Sequence, residues 1–221
     1  MKITVSVLIK AFIFVFLLTL LPSVFVQGAE KDHRTYPENI ALTSYMIKEG
    51  DTLWNLFKED WTVVARINRI SPDTLKAGMI VMVPLDMEEA RRHSPLPYDL
   101  PYESREEKIV FVNLKLQALG LYQDGTLLEW MPISSGKDGH PTPRGEFRVN
   151  RKVINHLSRT HPKPTGGAPM PYALRFITPY YWIHEGSLPG YPASKGCVRL
   201  MKMDALILYH WAEIGTLIVI V

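Results

Sequence analysis

Hydrophobic residues follow three spacings along this chain. Ala11 to Leu21 form an apolar run of eleven residues, preceded by Lys2 and Lys10 and ended by Pro22. Between Lys108 and Leu114 the chain alternates, Ile109, Phe111 and Asn113 opposing Val110, Val112 and Leu114. Both sets are mostly apolar, which predicts a strand buried on two faces. Gln117–Tyr122 and Leu127–Ile133 flank Asp124-Gly125, a pair suited to a tight hairpin turn. Glu146–Val153, Ala173–Thr178 and Tyr181–His184 read as further strands. From Met203 to Glu213 the period changes: Ala205, Leu206, Leu208, Tyr209 and Ala212 recur at three- and four-residue spacings, predicting a helix that Gly215 stops. Thr216–Val221 is apolar throughout and predicts a central closing strand.

Ahead of this region lies a smaller one. Tyr45-Met46-Ile47 and Ile80–Val83 read as short strands. A first helix starts after Gly50, capped by Asp51 or Thr52, and buries Leu53, Trp54, Leu56 and Phe57; a second, over Thr62–Asn68, turns Val63, Val64 and Ile67 inward. The order β-α-α-β fits between residues 44 and 86. Residues 87–107 hold Pro95, Pro97 and Pro101 among charges and read as a linker to a large domain at 108–221. Residues 30–43 read as a tether.

Residues 1–29 have the order of a secretory signal peptide: positive start, apolar stretch, helix breaker, then small residues at Gly28 and Ala29. A retained anchor is the competing reading, because Ile3–Val26 carries a single charge and is long enough to span a bilayer. No cysteine stands at the cleavage point, which excludes a bacterial lipoprotein. Either way the rest of the chain is expected outside the cytoplasm, in a periplasm or cell wall.

Composition adds exclusions. The 221 residues are 47% hydrophobic and 21% charged, a globular balance. Lys plus Arg number 25 against 22 acids, so net charge is +3; without Lys2 and Lys10 the balance is 23 to 22. No nucleic-acid partner is expected from so slight an excess. The single cysteine, Cys197, excludes an intrachain disulfide framework and a cysteine-rich zinc site. It leaves a buried bystander, an intermolecular bridge or a nucleophile. His156 and His161 have no carboxylate cluster near them and read as solvated loop histidines. Neither metal nor cofactor is expected.

Chemistry concentrates in Tyr180–Leu200. A thiol attacks as thiolate and needs a base or positive neighbours. His184 lies thirteen residues before Cys197, and the Gly186–Gly190 turn can fold back to join them. Gly196 permits close backbone approach and offers an N–H beside the thiol for an oxyanion hole. Arg199 shares a face with Cys197 if the segment is extended and can grip a carboxylate. Lys195 adds positive charge.

Two resemblances sharpen this reading. The small region resembles a lysin motif (LysM) module through Tyr45, Gly50-Asp51-Thr52-Leu53-Trp54, Asn68, Leu75, Gly78, Ile80, Val83 and Pro84. That implies binding to N-acetylglucosamine glycans such as peptidoglycan, in a groove formed here by Gly50, Asp51, Thr52 and the Ile70–Leu75 loop. The large region resembles the YkuD-type L,D-transpeptidase catalytic domain through His184, Ser194-Lys195-Gly196-Cys197-Val198-Arg199, Ile133–Lys137 and Thr142–Phe147. The resemblance implies a mainly β fold, a β-sandwich or flattened barrel with a helix beside it. It also implies Cys197 as nucleophile, His184 as base oriented by the Glu185 carbonyl, and Ser194 as a supporting hydroxyl. Gly196 and Cys197 would supply oxyanion N–H groups and Arg199 would contact substrate. Many members carry histidine where this chain has Lys195.

The implied activity acylates Cys197 with a peptidoglycan tetrapeptide stem, releases D-Ala, and passes the acyl group to an amine of another stem or of a protein. Water as acceptor would give L,D-carboxypeptidase trimming, and an inert Cys197 would leave a non-enzymatic wall-binding protein. Papain-like and NlpC/P60-like peptidases place Cys well before His, the reverse of the order here; sortases share the His-Cys-Arg order, but their histidine lies far upstream and their TLxTC pattern is absent here. The Pro/Gly-rich stretch His156–Phe176 reads as an insertion, a lid lined by Met170 and Tyr172.

Overall fold

A computed structural model describes residues 40–100, 106–163 and 166–221, with backbone alone at 159–163 and 166. The expected leader, most of the expected tether and the side chain of His161 lie outside the described residues. Among those residues no helix is long and apolar enough to cross a membrane.

The N-terminal region is a βααβ unit. β1 (Leu42–Met46) and β2 (Ile80–Pro84) pair antiparallel, with Tyr45 opposite Val81. α1 (Leu53–Phe57) starts where Thr52 Oγ1 accepts the Asn55 N–H at 3.0 Å. α2 (Trp61–Asn68) buries Val63, Val64 and Ile67 as its spacing predicts. Asn68 ties the helix to β2, donating to the Val64 and Met82 carbonyls and accepting from Met82 N–H. Trp54 departs from expectation, being 53% exposed. α1 has only five residues, so Leu53 takes the inward position and Trp54, about 100° further round, faces water.

The expected linker is structured where it is described. α3 (Met87–Arg92) is capped by Asp86, whose Oδ1 accepts the Glu89 N–H. Leu96 is buried, and the Trp130 and Tyr122 side chains donate to the His93 and Pro97 carbonyls at 2.8 and 2.6 Å. Pro95 and Pro97 lie in a bent segment held against the large domain by these bonds, not in a free spacer.

The large domain contains β3 (Lys108–Asn113), β4 (Ala118–Gln123), β5 (Thr126–Ser134), β6 (Gly145–Arg148), β7 (Arg151–Lys163), β8 (Gly166–Ile177), β9 (Tyr181–Glu185), β10 (Val198–Leu200), α4 (Lys202–Trp211) and β11 (Leu217–Ile220). Among the described residues the strands make one nine-stranded sheet, ordered β6-β11-β3-β4-β5-β10-β9-β8-β7. β6 and β7 end that order on opposite sides, yet only Val149 and Asn150 separate them. The sheet must therefore curl until its edges approach, giving a mainly β half-barrel, nearer the flattened barrel than the sandwich of the two forms expected. The single strand expected at Glu146–Val153 is accordingly split. β11 lies inside the sheet, one strand from its edge, parallel to β3.

Alternation in β3 sorts two cores. Val110 and Val112 join Met131, Ile133, Ile218, Ile220 and the α4 residues Ala205 and Leu208. Ile109 and Phe111 join Tyr122, Trp130, Leu217, Val219 and Leu96 on the other face. Each fully buried aliphatic side chain contributes roughly 1.5–3 kcal/mol.

The His156–Phe176 stretch, expected as a loop-like insertion, lies mostly in the β7–β8 hairpin. Its composition misleads because Pro169 and Pro171 alternate along β8, opposite Leu157 and Asn155, where β9 does not yet pair with it. There a missing N–H costs no ladder bond.

Candidate active site

β9 and β10 run parallel inside the sheet, between β5 and β8, with Arg199 in register with His184. The loop between them returns to a tight turn at Ser194–Cys197. Ser194 builds that turn from both sides: its Oγ donates to the Cys197 carbonyl at 2.5 Å and accepts the Gly196 N–H at 3.0 Å. It supports the backbone, and no bond to the thiol or to the imidazole is needed for that. The Gly196 N–H, expected in an oxyanion hole, is thus already committed to Ser194. Gly196 has φ 107°, and a Cβ there would lie 2.7 Å from Tyr181 Cε1.

The Ile133–Lys137 motif explains itself in this geometry. Ser194 N–H donates to the Ser135 carbonyl, and Lys137 N–H to the Ser194 carbonyl. Thr142 is a residue that sequence reasoning quoted without a role. It is buried, its Oγ1 donating to the Gly196 carbonyl at 3.0 Å and accepting the Gly136 N–H at 2.9 Å.

His184 is buried, and its Nδ1–H donates to the Glu185 carbonyl at 2.6 Å. That bond fixes the tautomer, leaving Nε2 with its lone pair. Burial pushes the imidazole down to about 4; the Glu185 carbonyl opposes this, while the Arg199 and His156 charges add to it. The Cys197 thiol is raised by burial, against the Trp182 backbone hydrogen bond and the Arg199 charge, which lower it. Both groups rest neutral at pH 7. Sγ points 3.7 Å from the Tyr180 carbonyl, and no hydrogen bond joins it to His184 in this state. The nearby cation acting on the thiol is Arg199; Lys195 is exposed on the rim.

These residues line one cavity of about 1110 Å³ that includes His184, Ser194, Lys195, Cys197, Arg199, Met170 and His156. Met170, Ala173 and Trp182 form an apolar cluster against Cys197. Tyr172, expected beside Met170, is elsewhere: its φ of 52° breaks the strand alternation and its ring packs on Tyr209, centroids 6.0 Å apart. His156 is no solvated loop histidine, since it stacks on Trp182 at 4.1 Å. Arg199 is half-buried, and its guanidinium has no hydrogen bond or ion pair to any described residue. Among those residues no cluster could hold a metal ion.

In the small unit, Asp51 Oδ2 accepts from Lys48 N–H and Tyr45 OH at 2.8 and 3.0 Å, and Thr52 caps α1 after Gly50 turns the chain. The Ile70–Leu75 loop, expected as one wall of a sugar groove, faces the large domain instead. Ile70 bridges to Pro189, and Ser71 N–H donates to the Leu188 carbonyl.

A curled sheet brings a histidine, a cysteine and an arginine whose side chain is unpaired into one cavity, an arrangement suited to cysteine-dependent acyl transfer. Residues 107–220 match the YkuD-type L,D-transpeptidase catalytic domain. The chain belongs to the L,D-transpeptidase family, cysteine-dependent enzymes that act on peptidoglycan stem peptides. It is similar to YkuD of Bacillus subtilis, a candidate L,D-transpeptidase, with 26% identity over 81% of this chain and 99% of that one. It is also similar to YkuD of Bacillus licheniformis, 29% identical over 78% and 94%. Among solved structures, the L,D-transpeptidase of Xylanimonas cellulosilytica shares the fold, with a TM-score of 0.56, 23% identity, and coverage of 80% of this chain and 97% of that one.

Proposed function

We propose that this chain is an exported peptidoglycan L,D-transpeptidase with Cys197 as nucleophile and His184 as general base. The observation that carries it is the cavity where a thiol, a tautomer-locked neutral imidazole and an unpaired guanidinium converge. A tetrapeptide stem binds with its terminal D-Ala carboxylate on Arg199. Cys197 turns from the Tyr180 carbonyl, and Sγ attacks the carbonyl carbon of stem residue three as His184 Nε2 takes its proton. The Cys197 N–H stabilises the developing oxyanion, Gly196 being engaged elsewhere. The C–N bond to D-Ala breaks, His184 returns the proton to the leaving amine, and a thioester remains. An acceptor amine attacks the thioester, gives its proton to His184, and the new amide forms as the thiolate leaves and is reprotonated. The acceptor is an amine on another stem, giving a 3→3 cross-link, or on a protein.

The small unit serves as a LysM-type wall anchor through its Gly50–Asp51–Thr52 edge, where exposed Trp54 offers a ring for sugar stacking. Since the Asp51 and Thr52 side chains are engaged locally, recognition there uses backbone groups and Trp54. The family's substrate lies outside the cytoplasm, consistent with a signal peptide at 1–29.

Acylation by a carbapenem tests the site. The wild-type chain gains the mass of one carbapenem, and Cys197→Ala gains none. Equal acylation of the variant would remove Cys197 from the mechanism.

A further inference from the structure

We propose that Ser71 and Asp73 of the small unit are positioning residues of the active site, clamping the loop between His184 and Cys197 so that the Glu185 carbonyl and Arg199 hold their working places. The inference rests on the transpeptidase reading of that site.

The clamp is built of specific bonds. Ser71 N–H donates to the Leu188 carbonyl, and Leu188 N–H donates to Ser71 Oγ, each at 2.9 Å. Ser71 Oγ donates in turn to Asp73 Oδ1 at 2.5 Å, leaving its lone pairs for Leu188. The other carboxylate oxygen, Oδ2, accepts from Ser187 Oγ. Thr74 Oγ1 lies 2.8 Å from the Leu188 carbonyl and 2.7 Å from that of Ser71, and its one proton serves either. Burial pushes the Asp73 carboxyl up, but the Ser187 and Ser71 hydroxyls prevail and hold it below the usual range. Asp73 therefore stays a carboxylate and can accept from both. Leu188 and Ile70 are fully buried, and Ser71 nearly so, so the Leu188 N–H to Ser71 Oγ bond forms out of water, where losing it is costly, while the Asp73 bonds lie toward the surface.

The clamp sits close to the chemistry. Only Glu185, Gly186 and Ser187 separate His184 from Leu188. The Glu185 carbonyl receives the imidazole N–H. Gly186 N–H donates to the Leu200 carbonyl at 2.9 Å, and a Cβ on Gly186 would meet Arg199 Cγ and Cδ at 3.0 Å, so the guanidinium stem rests on this backbone. The far end of the loop is held from within the sheet: Ser134 Oγ donates to the Tyr191 carbonyl and accepts the Ala193 N–H. The near end leaves the sheet after the Gly186–Leu200 bond, and its next anchor is in the small unit. The cavity of about 860 Å³ between the units is lined by Ser71, Asp73, Gly186 and Ser187, so the clamp borders open space rather than a continuous core.

The experiment compares full-length wild type with Ser71→Ala, Asp73→Asn and Ser71→Thr from pH 5 to 9. Two rates are read, carbapenem acylation and iodoacetamide alkylation of Cys197, beside thermal unfolding. The expected result is acylation slowed roughly ten- to a hundredfold in Ser71→Ala, with a displaced pH profile, and largely restored in Ser71→Thr. Asp73→Asn falls between. If Ser71→Ala fails to fold, Ser187→Ala, on the exposed side of the clamp, should slow acylation severalfold. Folded variants with wild-type rates and pH profile would overturn the proposal. So would a loss matched wholly by the unfolded fraction. Failure of wild type itself to acylate would instead overturn the transpeptidase reading, and the alkylation profile would still report on the clamp.

Discussion

Arg199 stands opposite His184 across the parallel β9–β10 pair, and its permanent charge helps keep the imidazole neutral. The same guanidinium lowers the thiol. One residue thus favours a base that can accept a proton and a nucleophile that can release one.

Arg199→Gln should raise the His184 pKa and lower affinity for stems ending in a free carboxylate, with KM up about tenfold or more. Histidine NMR titration reads the first effect and donor kinetics the second. A donor lacking that carboxylate should lose far less. Equal losses for both donors would remove Arg199 from carboxylate recognition.

Stability should depend on pH through two opposed groups. His184 is depressed from 6.5 to about 4, first by burial. Below pH 6.5 the unfolded chain binds the extra proton, so stability falls as pH drops toward 4, by about 3 kcal/mol at most. Asp204 is raised from 3.8 to about 6, first by burial, with Arg66 opposing. Its Oδ2 is buried without a hydrogen-bond partner. Here the folded chain binds the extra proton, so this contribution is present below pH 3.8 and is lost as pH rises through 6. Asp204→Asn should therefore be relatively more stable at pH 8 and lose stability more steeply on acidification. Urea midpoints from pH 4 to 8 check this; parallel curves for wild type and variant would contradict it.

The Ser194–Cys197 turn should tolerate little. Gly196→Ala places a methyl carbon against the Tyr181 ring at a φ that disfavours side chains. It should cost about 1–3 kcal/mol and most of the acylation rate. Ser194→Ala removes both internal bonds of the turn and should slow acylation more than it lowers the melting temperature.

For the wall anchor, Trp54→Ala should reduce retention of the full chain on purified peptidoglycan severalfold while leaving carbapenem acylation intact. Undiminished retention would move glycan binding away from the Gly50–Thr52 edge.

Much of this was legible in residue order. The β3, β4 and β5 periods and the Asp124-Gly125 turn stand where the pattern puts them, because local alternation and turn chemistry determine them, while α4 ends at Trp211, ahead of Gly215. The Pro/Gly-rich β7–β8 hairpin was hidden, because composition does not say which strand edge lacks a partner. Tyr172 was misplaced because one left-handed residue reverses the alternation. The Ser71–Leu188 clamp could not be read at all: it joins residues 117 apart, and Leu188 takes part through its backbone, which carries no sequence signature. Thr142 had a signal, a hydroxyl inside a quoted motif, but its bond to Gly196 spans 54 residues.

The central claim is acyl transfer through Cys197. The most direct measurement is mass spectrometry of the protein and its products after incubation with disaccharide-tetrapeptide muropeptides. The account predicts a thioester adduct on Cys197, stoichiometric release of D-Ala, and a 3→3 cross-linked dimer once acceptor stems are present. Trimming to tripeptide alone would make the chain an L,D-carboxypeptidase. D-Ala release by Cys197→Ala at the wild-type rate, or no adduct and no D-Ala from the wild type, would contradict the account.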